Sequence, residues 1–231
     1  MAKFCTNCGK KLQDGEVCTC KKEMKVQIKE SLGQVFELGK GLFSSPTDTV
    51  KKYVEQSNIW LSIILLVIGG LVSGIFSLIF VKEIVGFALG MMFGVSSLFG
   101  SSLTMEIPYL QIFMSIVITV IIIYFTEAFV AYLMLNKWFK IDFDYKKMIH
   151  LFAALSIFTT LAFLISIVSI YLSIYIVYGL LLTAGIMTTV VFALSIKKIW
   201  KVKDEQVMYT VVITLLTVTL LILLVIPRLF G

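Results

Sequence analysis

The sequence predicts an all-α membrane protein in which five transmembrane helices follow a small cysteine-bearing module. Three observations carry this. The chain of 231 residues is 59% hydrophobic and 15% charged, with a mean hydropathy of +0.99. A soluble domain carries about 25% charged residues, so lipid is the solvent that suits this composition. The apolar residues fall into runs of spanning length, and the lysines lie between the runs in a pattern that decides how many of them cross.

The runs are 59–81, 84–103, 108–135, 148–170, 172–196 and 207–227. A spanning helix needs about 20 residues, so length alone permits six spans. Suppose the N-terminus is cytoplasmic and all six cross. Segments 136–147 and 197–206 then fall outside, with Lys137, Lys140, Lys146, Lys147, Lys197, Lys198, Lys201 and Lys203. That opposes the tendency of lysine to stay on the cytoplasmic side. If run 84–103 does not cross, both loops move inside, and Lys82 and Arg228 alone remain outside. Five spans, a cytoplasmic N-terminus and an outer C-terminus satisfy the rule in a multi-pass protein of the cell membrane.

Run 84–103 is therefore expected to be a glycine-rich re-entrant or interfacial outer segment. Gly86, Gly90 and Gly94 recur at every fourth position and leave one helical face bare. Such a face suits close helix packing, and non-helical backbone at membrane depth needs protein cover. The first span offers a matching face of small residues at Gly70, Ser73 and Gly74.

Ahead of the bundle (58–231) the chain divides into a module at 1–21 and a linker with a pre-membrane helix at 22–57. No apolar stretch ahead of a small-residue cleavage site is visible at the N-terminus, which places the first 57 residues in the cytosol and makes the first run an uncleaved anchor. Between 22 and 44, Met24, Ile28, Leu32, Val35 and Leu42 recur with a weak helical period, loosened by Gly33, Gly39 and Gly41. A mobile linker and a helix lying on the cytoplasmic leaflet both fit this stretch. Ser45-Pro46 and Asp48 mark a helix start, because proline suits a first turn and an acid suits its positive end. The stretch "FKIDFDYKK" (139–147) reads as an interfacial loop, with Phe139, Phe143 and Tyr145 at the headgroups and Asp142 and Asp144 in water.

The module holds every cysteine of the chain: Cys5-x2-Cys8, nine residues, then Cys18-x-Cys20. Four thiolates match the tetrahedral preference of structural zinc. Gly9 permits the turn that aims backbone N–H groups at the sulfurs, and Asp14-Gly15 returns the chain. Lys10, Lys11, Lys21 and Lys22 stand beside a site whose net charge would be about −2. Disulfides suit a secreted chain, a redox CxxC belongs to a larger domain, and so short a module shields an iron–sulfur cluster poorly. With four protein ligands the metal keeps no open position, so Zn2+ is expected to fold the module and to catalyse nothing.

"FCTNCGKKLQDGEVCTC" (4–20) resembles the N-terminal zinc ribbon found on many bacterial membrane proteins, with the second knuckle, Cys18-Thr19-Cys20, shorter than the usual CxxC. Residues 45–231, with Ser45-Pro46 and a basic helix ahead of five spans, resemble the Yip family of small five-span membrane proteins. The resemblance implies an adaptor or organiser. Eukaryotic members of that family are associated with Rab GTPases and vesicle traffic, and bacterial ones with the assembly or regulation of export systems.

Ionisable groups inside spans are rare and mark functional candidates. Here they are Glu127, in the third run, and His150, at the start of the next. The two helices are antiparallel neighbours, so these residues form a candidate intramembrane polar pair, with Tyr124 or a serine as other partners of Glu127. A protonated Glu127 that serves packing is the plainer reading. The spans lack the breaks near the midplane that transporters show, and the chain carries one histidine and no GxSxG, HExxH or Walker A motif. No enzyme is expected. The net charge of +6 comes from lysines beside apolar runs, without a dense basic run interleaved with aromatics, so no nucleic acid is expected either. The sequence thus points to a membrane scaffold or regulator that docks a protein partner through its cytosolic ribbon and assists a transport or export system. The alternative is a small transporter or channel subunit working through Glu127 and 84–103.

Overall fold

The computed structural model describes the backbone of residues 3–4, 11–12, 33–96 and 108–230, with side chains for 33–83 and 108–224. The chain forms two compact units, Met1–Ser45 and Pro46–Gly231. In the first, strands β1 (Lys3–Phe4) and β2 (Lys11–Leu12) pair antiparallel, Lys3 opposite Leu12 and Phe4 opposite Lys11. The connection between them carries Cys5 and Cys8. Helix α1 covers 33–44. Val35, Leu38 and Leu42 lie on one face of it at intervals of three and four, and Leu38 and Leu42 are buried.

The second unit begins with α2 (Pro46–Gln56), which has Pro46 at its first position and Asp48 in its first turn. Val50, Tyr53 and Val54 form its buried face, and it packs on α5 (Tyr145–Ser169) and α6 (Ile174–Trp200). Asn58 Oδ1 accepts a hydrogen bond from Trp60 N at 3.1 Å and opens α3 (Ile59–Ser96). Then come α4 (Tyr109–Tyr132), which runs into a π-helical turn (Leu133–Trp138), and, after α5 and α6, α7 (Asp204–Phe230).

Among the described residues five helices are long and apolar enough to cross a membrane: Ile59–Glu83, Tyr109–Trp138, Tyr145–Ser169, Ile174–Trp200 and Asp204–Leu224. The protein is a multi-pass, all-α membrane protein. Helix α5 is central and packs on α2, α3, α4 and α6, whereas α7 packs on α4, α6 and the π-helical turn.

The charge pattern has a direct geometric counterpart. Asp48 of α2 pairs with Lys198 near the end of α6 at 2.6 Å, and Phe143 stacks on Trp200 with ring centroids 4.6 Å apart. Both lysine-rich loops therefore stand at the same end of the bundle as α2. Connections there are closed by local bonds. Asp144 caps α5 by accepting from Lys146 N, Gln206 Oε1 accepts from Lys203 N, and Lys201 ends α6 in the left-handed conformation with φ 52°.

Two expectations change. The segment 84–103 does not start a separate element after the first span. Through Ser96 it continues α3 as one helix of 38 residues, about 57 Å at 1.5 Å per residue. No glycine or proline stands between Gly74 and Gly86, and Lys82 and Glu83 are good helix formers that give the chain no reason to stop. A re-entrant turn is therefore absent from 84–96, and 97–103 lie outside the described residues. The second change is Phe143. It is buried against Tyr132 and Trp200 and does not reach the headgroups, while Asp142 and Asp144 are exposed as expected.

The bare face of the first span meets other partners than the glycine segment. A Cβ at Gly74 would lie 2.7 Å from Val117 Cγ2 and 2.8 Å from Phe113 Cε2, and one at Gly70 would lie 3.1 Å from Ile121 Cγ1. Helix α4 thus occupies that face. Close backbone approach between helices that lack side chains at the contact is how spans gain packing energy in lipid.

Candidate functional site

A buried chain of three polar side chains joins α2, α3 and α5. Tyr53 Oη lies 3.0 Å from Ser62 Oγ, and Ser62 Oγ lies 2.6 Å from His150 Nδ1. The rings of Tyr53 and His150 meet edge-on with centroids 6.2 Å apart. Ser62 is fully buried and His150 is 6% exposed. Each residue arrives by its local periodicity: Tyr53 on the Val50–Val54 stripe, Ser62 in the first turn of α3, His150 in the second turn of α5.

The hydroxyl of Ser62 has one proton and can both donate and accept. With Nδ1 unprotonated, Tyr53 donates to Ser62 and Ser62 donates to His150. With Nδ1 protonated, the direction reverses and both contacts survive. Burial pushes the Tyr53 phenol above its ordinary pKa, and its hydrogen bond to Ser62 opposes this, so Tyr53 stays a neutral donor or acceptor at physiological pH. Leaving a buried polar group of this kind without its partner costs about 1–3 kcal/mol. The arrangement can clamp a short amphipathic helix to the bundle. It holds no outward-facing nucleophile.

Glu127 and His150 are not brought together. Tyr124 Oη bonds Thr159 Oγ1 at 2.8 Å and ties α4 to α5. Tyr145 Oη donates to Phe125 O at 3.3 Å along the same contact, and His150 takes Ser62 of α3 as its partner instead of Glu127. Glu127 is half-buried in its span, and no hydrogen bond or ion pair joins it to another described residue. Among the described residues no cluster of three or more His, Cys, Asp or Glu side chains forms. Cys5, Cys8, Cys18 and Cys20 lie outside them, as do the surroundings of Gly86, Gly90 and Gly94.

Sequence reasoning missed Tyr53 and Ser62. A signal for them existed. A single histidine inside an apolar span requires a polar partner, and Ser62 is the first hydroxyl of the neighbouring span at the same depth. Comparison with protein-family models, with curated proteins and with solved structures finds no match.

Proposed function

We propose that this chain is a non-enzymatic integral membrane scaffold or regulator whose N-terminal cysteines fold around Zn2+ and dock a protein partner, in support of a transport or export system. One observation carries the reading: the buried polar groups tie helices to one another. Tyr53, Ser62 and His150 bind α2, α3 and α5, and Tyr124 binds Thr159. Chemistry on a substrate would need such groups to face an accessible space. The β1–β2 pairing supports the metal reading, since it closes the chain on either side of Cys5 and Cys8. In this reading the lysine-rich end faces the cytoplasm.

The test is purification of the full chain in mild detergent, with metal analysis and identification of co-purifying proteins, beside a variant with all four cysteines changed to serine. One zinc per chain and a partner lost with the cysteines are expected; zinc retained by the variant, or a partner indifferent to it, would sink the reading. Orientation has its own test. A single cysteine at Leu172 should react with an impermeant thiol reagent on intact cells, and one at Asp204 should not.

The second reading is a small transporter. It is favoured by Glu127, a carboxyl group in a span with no bonding partner among the described residues, since such groups commonly serve ion or proton pathways. Glu127→Gln should abolish flux if this reading holds and alter only stability if the scaffold reading does.

A further inference from the structure

Between α6 and α7 runs an open groove of about 340 Å³, lined by Leu194, Val207, Met208, Val211 and Val212 and closed at one end by Lys197 and Asp204. Its walls face outward: Leu194 is 50% exposed, Met208 56% and Val212 47%. From Asp204 to Val212 the groove follows α7 for about 12 Å, close to the half-thickness of the hydrocarbon core, about 15 Å. In a bilayer an apolar groove of this depth is filled by hydrocarbon, because water gains no hydrogen bonds there.

The charges at its mouth select which hydrocarbon. Lys197 is ion-paired with Asp204, and Lys198 is held by Asp48 on α2. Lys201 and Lys203, in the three-residue connection from α6 to α7, are exposed and have no ion-pair partner among the described residues. Glu205 is the remaining acid at the mouth, so the local balance is positive. Basic groups above a cleft between spans favour anionic headgroups.

We infer that the α6–α7 groove is a binding site for one anionic glycerophospholipid, with an acyl chain along Val207, Met208 and Val211 and its phosphate at Lys201 and Lys203. The site does not depend on the ribbon or on the scaffold reading. The Lys197–Asp204 pair lines the groove at its end, and Lys203 directly precedes Asp204 in the chain.

The test is native mass spectrometry of the full chain in mild detergent, titrated with dioleoyl phosphatidylglycerol or dioleoyl phosphatidylcholine. The native chain should retain one phosphatidylglycerol at least fivefold more than phosphatidylcholine. Lys201→Gln with Lys203→Gln should remove most of that preference, and Lys51→Gln with Lys52→Gln, which takes the same charge from α2, should keep it. Val211→Phe fills the groove and should lower retention of both lipids. Equal retention of the two lipids by the native chain, or equal loss of preference in both lysine pairs, overturns the site. So does undiminished retention in a Val211→Phe variant that elutes as a single species. If that variant does not fold, the two lysine pairs decide alone.

Discussion

Helices α5 and α7 are both long, apolar and uninterrupted, yet half of the α5 window (50%) is buried inside the protein and only 17% of the α7 window is. Hydropathy cannot tell them apart, because lipid tails are as apolar as leucine and exert no selection between a neighbouring helix and a neighbouring lipid. What differs is size and polarity along the contact. Ala153, Ala154, Ser156, Ala162, Ser166 and Ser169 are all buried on α5. On α7 the buried polar positions narrow to one stripe, Thr210 and Thr214, each bonding the carbonyl four residues back. The central span is therefore recognisable by its small residues, and the peripheral one by a single hydroxyl line on an otherwise leucine-rich surface.

The sharpest way to break this contrast is to insert bulk. Ala153→Leu on α5, or Gly74→Leu on α3 where Val117 already stands too close for a Cβ, should destabilise the bundle by about 3 kcal/mol. Leu216→Ala, at a position 57% exposed on α7, should change stability by less than about 0.5 kcal/mol. Thermal unfolding in mild detergent measures all three, and equal effects at Ala153 and Leu216 would remove the distinction between centre and periphery.

A smaller effect tests the polar clamp. Ser62→Ala strands the Tyr53 hydroxyl and His150 Nδ1 together, and should cost about 1–3 kcal/mol. Adding Tyr53→Phe to it should cost little more, since both changes break the same chain of bonds. Full additivity in the cycle would mean that the three residues do not act as a unit. Weaker still is the Asp48–Lys198 pair, whose side chains are 66% and 39% exposed. Asp48→Asn should cost at most about 1 kcal/mol, and less at high salt. Last comes Lys201→Gly, which relieves a left-handed lysine at the end of α6. It should gain about 0.5–1 kcal/mol, and a loss would show that the lysine side chain itself holds the turn.

Much of the fold was legible in the sequence because the bilayer imposes it. Run length marked the spans, and lysine placement put 136–147 and 197–206 at one end, where Asp48–Lys198 and Phe143–Trp200 now bind them to α2 and to each other. The Ser45-Pro46 signal located the start of α2. The end of α3 was not legible. Lys82-Glu83 reads as a boundary in a hydropathy pattern, yet the backbone has no reason to break there, and hydropathy is a statement about solvent rather than about helix propensity.

The candidate site was half legible. His150 stood out as the one histidine within a span, but its partner depended on which helices pack together. Ser62 and Tyr53 arrive from α3 and α2, and no periodicity in the sequence sets those helices against α5. Phe143 misled for a related reason. An aromatic beside a span end suits the headgroup region equally well, and only the arrival of Trp200 from α6 turns it inward.

The turn between α5 and α6 carries a consequence for how the protein is made. Ser169 and Ser173 bracket it, and the Ser173 side chain opens α6 by accepting from Tyr175 N at 3.2 Å. So short a connection leaves no stretch that could wait in water while one helix enters the bilayer without the other. α5 brings a histidine and a row of hydroxyls, each unfavourable to insertion alone. α6 lies directly against it and is no more apolar, with a mean hydropathy of 2.1 against 2.4 for α5. Neither span therefore has a surplus with which to draw in the other, and so tight a connection favours their entry into the bilayer together, as one hairpin.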